Sequence, residues 1–265
     1  MMPIKPLKIV QIEVTNICNA NCVFCSRSKI KKFGTMTDSL FKKILMDIKK
    51  IPSVKRVIPM LLGEPFCDRK FLQKLKLINE LLPGMKITIF TNCSLLSRKK
   101  IIMLSQIKDL EVFFSLNGAC KKTRQELMGL MDYDKAVKMI DLYAKTGRPY
   151  GVSLVKYPSV SDGEILEFKK KYEHNMIIGY KNFSGDKFDD GPKTNCNRAI
   201  SEMTIMWDGI VNLCCMDAYG KVTFGDVNIA SVKDVWESDA RQKYAHTHAN
   251  GYYMRGGPCS NCTKA

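Results

Sequence analysis

Eight of the 11 cysteines in this chain of 265 residues fall into two sets. Cys18, Cys22 and Cys25 stand in CNANCVFC, a C-x3-C-x2-C spacing. Three thiolates on one short loop can hold three corners of an iron–sulfur cube and leave the fourth iron open. An incomplete ligand set is the mark of a reactive metal site. A zinc ion would want a fourth ligand, and the loop offers no His or Asp for it. The second set is Cys196, Cys214, Cys215, Cys259 and Cys262, the last two in a C-x2-C pair. Four thiolates drawn from it make a closed set that suits zinc and a four-cysteine iron–sulfur cluster alike.

The residues that must position these sets read as alternating strands and helices. Strands are predicted over residues 9–15 (IVQIEVT), 54–62, 86–91, 110–116, 150–155 and 176–180. Helices are predicted over 38–50, with Asp38 as the cap, and over 71–82, 97–107, 133–145 and 164–172. Residues 71–82 are apolar at helical spacing, and Gly147 and Pro149 close the helix that precedes them. Pro59 limits the ladder of the second strand. Repeated strand–helix pairs argue for parallel strands joined by right-handed crossovers. Six such units make an α/β fold built as a partial (β/α)6 TIM-like barrel, short of the full eight. The first cysteine set then falls on the loop after the first strand, at the barrel end where such folds carry their chemistry. The texture changes near Lys181, and the polar stretch 182–195 (NFSGDKFDDGPKTN) reads as a linker. Beyond it, Asp208-Gly209 between two apolar runs predicts a two-residue hairpin turn, and Ser231 and Ser238 open short helices. The expected domains are therefore 1–181 and 182–265, the second a small β-hairpin/helix unit.

Hydrophobic residues make up 45% and charged residues 26% of the chain, which excludes a wholly disordered protein. No apolar run approaches the ~20 residues that span a bilayer, so no membrane partner is expected. The N-terminal stretch MMPIKPLKIVQIEV lacks the apolar core and cleavage site of a signal peptide, which predicts a cytoplasmic protein. In a reducing compartment clustered cysteines are metal ligands or reactive thiols and not disulfides. The net charge of +16 comes from scattered lysines without a nucleic-acid motif. It suits an anionic small molecule and makes a nucleic-acid partner unlikely. His174, His246 and His248 show no coordinating pattern and are expected at the surface or hydrogen-bonded. Trp207 and Trp236 are expected in the core of the tail.

With these elements in place, the chain resembles the radical S-adenosylmethionine (SAM) superfamily. The C-x3-C-x2-C spacing with an aromatic residue, Phe24, before the last cysteine is that family's signature. Gly63-Glu64-Pro65 after the second strand, Thr91-Asn92 after the third and Ser115-Leu116-Asn117-Gly118 after the fourth resemble its SAM-contacting strand ends. The resemblance implies a [4Fe–4S] cluster on Cys18, Cys22 and Cys25, with SAM chelating the open iron. It puts Phe24 beside the adenine, Gly63, Glu64 and Pro65 near the SAM amino group, and Thr91, Ser115 and Asn117 near its methionine and ribose parts. Leu62 stands where many relatives have Gly, and Cys93 where Gly is usual. The tail is similar to the Twitch domain, a short form of the SPASM domain. The match rests on Cys196, Asp208-Gly209 followed by Cys214, Gly225-Asp226-Val227, Val235-Trp236 and the Cys259-x2-Cys262 pair. It implies one auxiliary [4Fe–4S] cluster on Cys196, Cys214, Cys259 and Cys262, with Cys215 left over.

The implied chemistry is cleavage of SAM to a 5′-deoxyadenosyl radical that takes hydrogen from a substrate C–H bond, while the protein aims the radical and excludes water. A short barrel joined to a single-cluster tail resembles the radical SAM dehydrogenases, and that resemblance implies oxidation of a secondary alcohol of a sugar or cyclitol to a ketone. The auxiliary cluster would accept the remaining electron, and a donor such as flavodoxin or ferredoxin would reduce the first cluster. The sequence names no general base. The alternative is an epimerase of a sugar or peptide residue, in which Cys67, Cys93, Cys120 or Cys215 returns a hydrogen atom. Peptide modification usually goes with a two-cluster tail. A non-catalytic metal- or RNA-binding module rests on the basic balance alone and leaves the ordered motifs unexplained.

Overall fold

Residues 5–179, 196–251 and 259 are described by a computed structural model. The linker expected at 182–195 and Cys262 lie outside the described residues. The barrel runs β1 (Ile9–Ile12), α1 (Asp38–Ile48), β2 (Arg56–Ile58), α2 (Phe71–Leu81), β3 (Lys86–Thr91), α3 (Arg98–Ser105), β4 (Leu110–Ser115), α4 (Lys121–Met128), α5 (Tyr133–Ala144), β5 (Tyr150–Lys156), α6 (Asp162–Lys171) and β6 (Asn175–Gly179). The tail follows with α7 (Asn197–Ser201), β7 (Glu202–Ile205), β8 (Ile210–Asn212), β9 (Thr223–Asp226), α8 (Val232–Glu237) and α9 (Asp239–Ala249). Strands β1 to β6 are parallel and pair in chain order, giving the partial (β/α)6 barrel expected of the alternating pattern. Among the described residues no helix is long and apolar enough to cross a membrane.

Strands β1 and β4 alternate between two faces. In β1, Val10 and Ile12 are fully buried against the helices, while Ile9 and Gln11 line a cavity inside the barrel. The α1 stripe of Leu40, Phe41, Ile44, Leu45 and Ile48 covers the outer face. Its cap is Thr37, whose hydroxyl accepts from the Leu40 N–H, and not Asp38, which becomes the first helical residue. Ser97 and Ser161 cap α3 and α6 in the same way. Ser231 caps α8 in a reciprocal box with Asp234.

Five features depart from the sequence reading. The second strand shrinks to three residues, because Pro59 ends its ladder. Helix α4 has no counterpart among the predicted helices, since KKTRQELM carries almost no apolar stripe; Gly129 closes it at φ 67°. The tail does not stand apart from the sheet. Strand β7 pairs in parallel with β1, from Ile9↔Glu202 to Ile12↔Ile205, and β8 and β9 extend the same nine-stranded sheet antiparallel. Met203 and Ile205 continue the buried row of Val10 and Ile12, so β1 is not left as an open edge. The β7–β8 reversal takes residues 207–209 and not two residues. Met206 N–H donates to the Ile210 carbonyl at 2.8 Å, and Gly209 sits at φ 95°. Trp236 is buried as expected, with its indole N–H donating to the Lys5 carbonyl at 2.7 Å. His246 and His248 are buried on α9 and the Nε2 of each has no hydrogen-bond partner among the described residues, against the surface or hydrogen-bonded placement expected for them.

Candidate active site

The loop after β1 is pinned at its base before it carries any chemistry. The Asn16 side chain donates to the Lys32 carbonyl at 2.9 Å and accepts from the Gly34 N–H at 2.8 Å, closing residues 17–33 into one loop. Helix α4 holds the far side, its Met128 and Leu127 carbonyls accepting from the N–H groups of Asn21 (2.9 Å) and Val23 (3.0 Å). The Arg27 guanidinium donates to the Ala20 carbonyl at 2.7 Å. These bonds turn Cys18, Cys22 and Cys25 toward one cavity.

Across that cavity, Gly63 lies against the loop. A Cβ there would stand 2.2 Å from the Thr15 carbonyl oxygen and 2.7 Å from that of Ile17, so only glycine allows the approach. Glu64 N–H donates to the Ile17 carbonyl at 3.0 Å. Its carboxylate is fully enclosed and accepts from Thr91 Oγ1 (2.8 Å), Asn92 N–H (2.7 Å) and Phe66 N–H (3.2 Å). Burial pushes this carboxyl up to about 7 against those donors. Glu64 therefore joins the ends of β2 and β3 and aims Asn92, whose amide donates to Asn19 Oδ1 at 2.9 Å. Cys93 and Asn117, the turns after β3 and β4, hold left-handed backbone at φ 69° and 53°. Asparagine adopts that region readily, whereas cysteine does so at a steric cost. This is the physical reason that the left-handed position of Cys93 suits glycine.

Arg124 of α4 ties these turns together and is invisible in the sequence. It is fully buried and donates to the Asn92 carbonyl (2.7 Å), the Leu116 carbonyl (3.1 Å) and Asp132 Oδ1 (2.9 Å). Glu13 is a second hidden group, also fully buried. Its two oxygens accept from the N–H groups of Leu62 (3.4 Å) and Trp207 (3.3 Å), linking the barrel to the tail, and burial raises it to about 7.

The first cavity encloses about 240 Å³. The three thiols form one side, and Gly63, Glu64, Thr91, Ser115 and Asn117 form the other. Asn117 Oδ1 is buried there without a hydrogen-bond partner among the described atoms. Phe24 packs into the core behind the loop, and neither it nor Pro65 lines the cavity. Burial pushes all three thiols up, Cys22 to about 12. Metal binding must displace these protons. Among the described residues no three His, Cys, Asp or Glu side chains converge on a single-ion point. A cube takes each thiolate on a separate iron, so its three ligands need not meet at one point. The donor set, the glycine cradle and the orphaned amide oxygen fit a cluster with a polar ligand on its open corner.

A second cavity of about 610 Å³ adjoins the first, sharing Cys25, Leu61, Leu62, Phe90 and Ile178 in its wall. Leu62, in place of glycine, adds to the apolar wall common to both. The second cavity runs down the inner faces of β1 and β2 past Gln11 and Arg56 to Arg198, Glu202 and Cys215 of the tail. Burial raises the Glu202 carboxyl, and Arg198 and Arg56 oppose the rise. Of the four candidate hydrogen donors, Cys215 lines this space. Cys67 lies on the short turn after Glu64, Cys93 is buried in the core, and Cys120 is exposed at the start of α4. None of these three lines either cavity.

In the tail, Cys196 precedes α7 and Cys214 follows β8. Cys214 feels the charge of Cys215 and Cys259 after the dominant effect of burial, which raises it. Arg241 of α9 feels Cys214, Cys196 and Cys259 together. Three of the four expected ligands thus favour the charge of one guanidinium, and Cys262 lies outside the described residues.

The chain matches the model of the radical SAM superfamily over residues 12–171 and that of SPASM, an iron–sulfur cluster-binding domain, over residues 196–263. It is 21% identical to the S-adenosyl-L-methionine-dependent 2-deoxy-scyllo-inosamine dehydrogenase of Niallia circulans, over 97% of this chain and 93% of that protein. It is 29% identical to the tungsten-containing aldehyde ferredoxin oxidoreductase cofactor-modifying protein of Pyrococcus furiosus, over 42% of this chain and 31% of the other. The crystal structure of BtrN in complex with AdoMet and 2-DOIA superposes at TM-score 0.61 and 14% identity, covering 94% of this chain and 89% of that one. The structure of Streptococcus suis SuiB bound to precursor peptide SuiA superposes at TM-score 0.76 and 19% identity, covering 97% and 70%. At such identities the structural likeness speaks to the fold.

Proposed function

The chain belongs to the radical SAM superfamily, and on that premise we propose that it oxidises a secondary alcohol of a sugar or cyclitol to a ketone. The observation that carries this reading is the second cavity. It adjoins the thiol-lined cavity at Cys25 and reaches Cys215 of the tail, an arrangement that suits a substrate yielding first a hydrogen atom and then an electron. The likeness along nearly the whole chain to a 2-deoxy-scyllo-inosamine dehydrogenase points the same way.

The bound cluster and SAM supply the radical that takes the hydrogen atom, and a flavodoxin or ferredoxin supplies the reducing electron. Cys18, Cys22 and Cys25 would hold three irons. Thr91, Ser115 and the free Oδ1 of Asn117 would take the polar groups of SAM, with Gly63 letting it approach. Met60, Leu61, Leu62 and Phe90 keep water from the reacting carbon. Gln11, Arg56, Arg198 and Glu202 would receive the hydroxyl or charged groups of a small polar substrate. Cys196, Cys214, Cys259 and Cys262 would close an auxiliary cluster to substrate and leave it the role of electron acceptor. The working division is a barrel over 1–181 and an auxiliary unit over 182–265.

The test is an iron and sulfide count after anaerobic reconstitution, followed by assay on aminocyclitols and hexoses. About 8 irons per chain, falling to about 4 in a Cys18/Cys22/Cys25→Ala variant, are expected for two cubes on separate thiols. A ketone should form, with carbon-bound deuterium passing to 5′-deoxyadenosine. About 4 irons falling to none would remove the electron acceptor and with it the oxidation.

The position of Cys215 on the substrate cavity favours one second reading, an epimerase in which its S–H returns hydrogen to the opposite face. That reaction run in D2O places one deuterium at the inverted carbon and yields no carbonyl.

A further inference from the structure

The second cavity is charged where a barrel interior is ordinarily filled by packed apolar side chains. Its end near the thiols is apolar, with Leu61, Leu62 and Phe90 in the wall. Its far end lies at the starts of β1, β2 and β7. There it is lined by Arg56 and Glu202, by Gln11 further along β1, and by Arg198 of α7. The register explains the grouping. Ile9 pairs with Arg56 on one side and with Glu202 on the other, so the three stand in one row on the inner face. Two strand spacings, about 10 Å, separate the backbones of Arg56 and Glu202. One small molecule can therefore reach both side chains.

The charges in this row are short of partners. Arg56 meets Glu111 of β4 at 3.8 Å, an ion pair without a hydrogen bond. Neither the Glu202 carboxylate nor the Arg198 guanidinium forms a hydrogen bond or an ion pair among the described residues. The Gln11 side chain donates to the Met60 carbonyl at 2.8 Å, and its oxygen has no donor among the described residues. A charge taken out of water is stabilised by an opposite charge or by hydrogen bonds. A neutral ring filling this space would strip water from a carboxylate and a guanidinium and give neither a counter-charge. A purely anionic substrate would meet Glu202, and a purely cationic one would meet two arginines.

We propose that the substrate carries both signs of charge, an ammonium group bound by Glu202 and a phosphate or carboxylate bound by Arg198 and Arg56, as in an acidic amino sugar. This deepens the reading of the second cavity as the substrate site and rests on it. Gln11 takes a hydroxyl between the two. The charged row also orients the ring. It holds one edge at the starts of the strands and leaves the opposite edge, with its carbon-bound hydrogen, toward Leu62 and Cys25.

The measurement is anaerobic calorimetric titration of the reconstituted protein with SAM present, using four probes on one scaffold. These are glucosamine 6-phosphate, glucose 6-phosphate, glucosamine and glucose. Each charge-assisted contact should tighten binding about tenfold or more, so glucosamine 6-phosphate should exceed either singly charged probe by that factor, with glucose weakest. Glu202→Gln should bind glucosamine 6-phosphate and glucose 6-phosphate alike. Arg198→Gln should lose most of the advantage of the phosphate, and Arg198→Lys should keep it. Equal affinities for the four probes in the unmodified protein, or no binding of the doubly charged one, overturn the inference without any variant. So does a Glu202→Gln protein that weakens all four probes by the same factor. If the preferred probe is converted to a product without a carbonyl group, the oxidation fails and the charge assignment stands.

Discussion

Replacing Arg124 with Met should cost about 3 kcal/mol of stability and weaken SAM binding at the same time. Removing one partner of a buried ion pair costs roughly 3–5 kcal/mol, because the other charge is left without compensation. Asp132 reduces that cost. Its side chain is 21% exposed and keeps the hydroxyl of Ser94, so it can rehydrate. The carbonyls of Asn92 and Leu116, in contrast, lose a charged donor inside the protein. The balance lies near the lower end of the range. For a chain of this size each kcal/mol moves the melting temperature by about 2–4 °C, which gives a fall of roughly 6–12 °C. Calorimetry on the metal-free protein reads the stability, and titration of SAM into the reconstituted enzyme reads the site. The functional loss follows because Arg124 aims the turns of Asn92 and Asn117, which line the cavity proposed for SAM. A loss below about 1 kcal/mol, or an unchanged SAM affinity, would refute the claim that this one cation organises both turns.

Three further outcomes are expected. Glu13 is raised from 4.5 to about 7, so between those values the unfolded chain ionises first and stability falls as pH rises. Glu13→Gln should remove roughly 3 kcal/mol of the difference between pH 4.5 and pH 8 in urea denaturation, and a variant with the wild-type slope would contradict this. Gly63→Ala drives a methyl into the backbone of Thr15 and Ile17. It should abolish SAM binding and lower iron toward the ~4 atoms of the tail cluster, whereas full iron and normal SAM affinity would show that the loop can yield. Cys215→Ser should keep its iron and its ketone product, while Cys214→Ser should lose the tail iron; the reverse pattern in an iron count would exchange their roles.

Much of the machinery is legible in the order of residues along the chain. The C-x3-C-x2-C spacing, the Gly63-Glu64-Pro65 segment and the strand-end turns are covalent neighbours, so their grouping survives any fold that puts strand ends together. The strand–helix alternation is also local, carried by burial stripes such as Leu40 to Ile48 and by the Ser97, Ser161 and Ser231 caps. These signals determined the barrel, the first cluster loop and the class of chemistry.

Tertiary structure decided the rest, because burial and charge pairing depend on residues far apart in sequence. A charged helix such as α4 has no apolar stripe to reveal it, and Arg124 is tolerated inside because Asp132 and two carbonyls meet it there. The four spare cysteines look alike in sequence, and packing alone brings Cys215 to the second cavity while leaving Cys67, Cys93 and Cys120 off its wall. The tail reads as a separate unit from composition, yet β7 completes the edge of β1 through backbone pairing that no side-chain pattern specifies. Arg241 is likewise silent in the sequence, and it is tolerated inside because α9 packs on α7, where the Ala199 and Glu202 carbonyls accept its N–H groups.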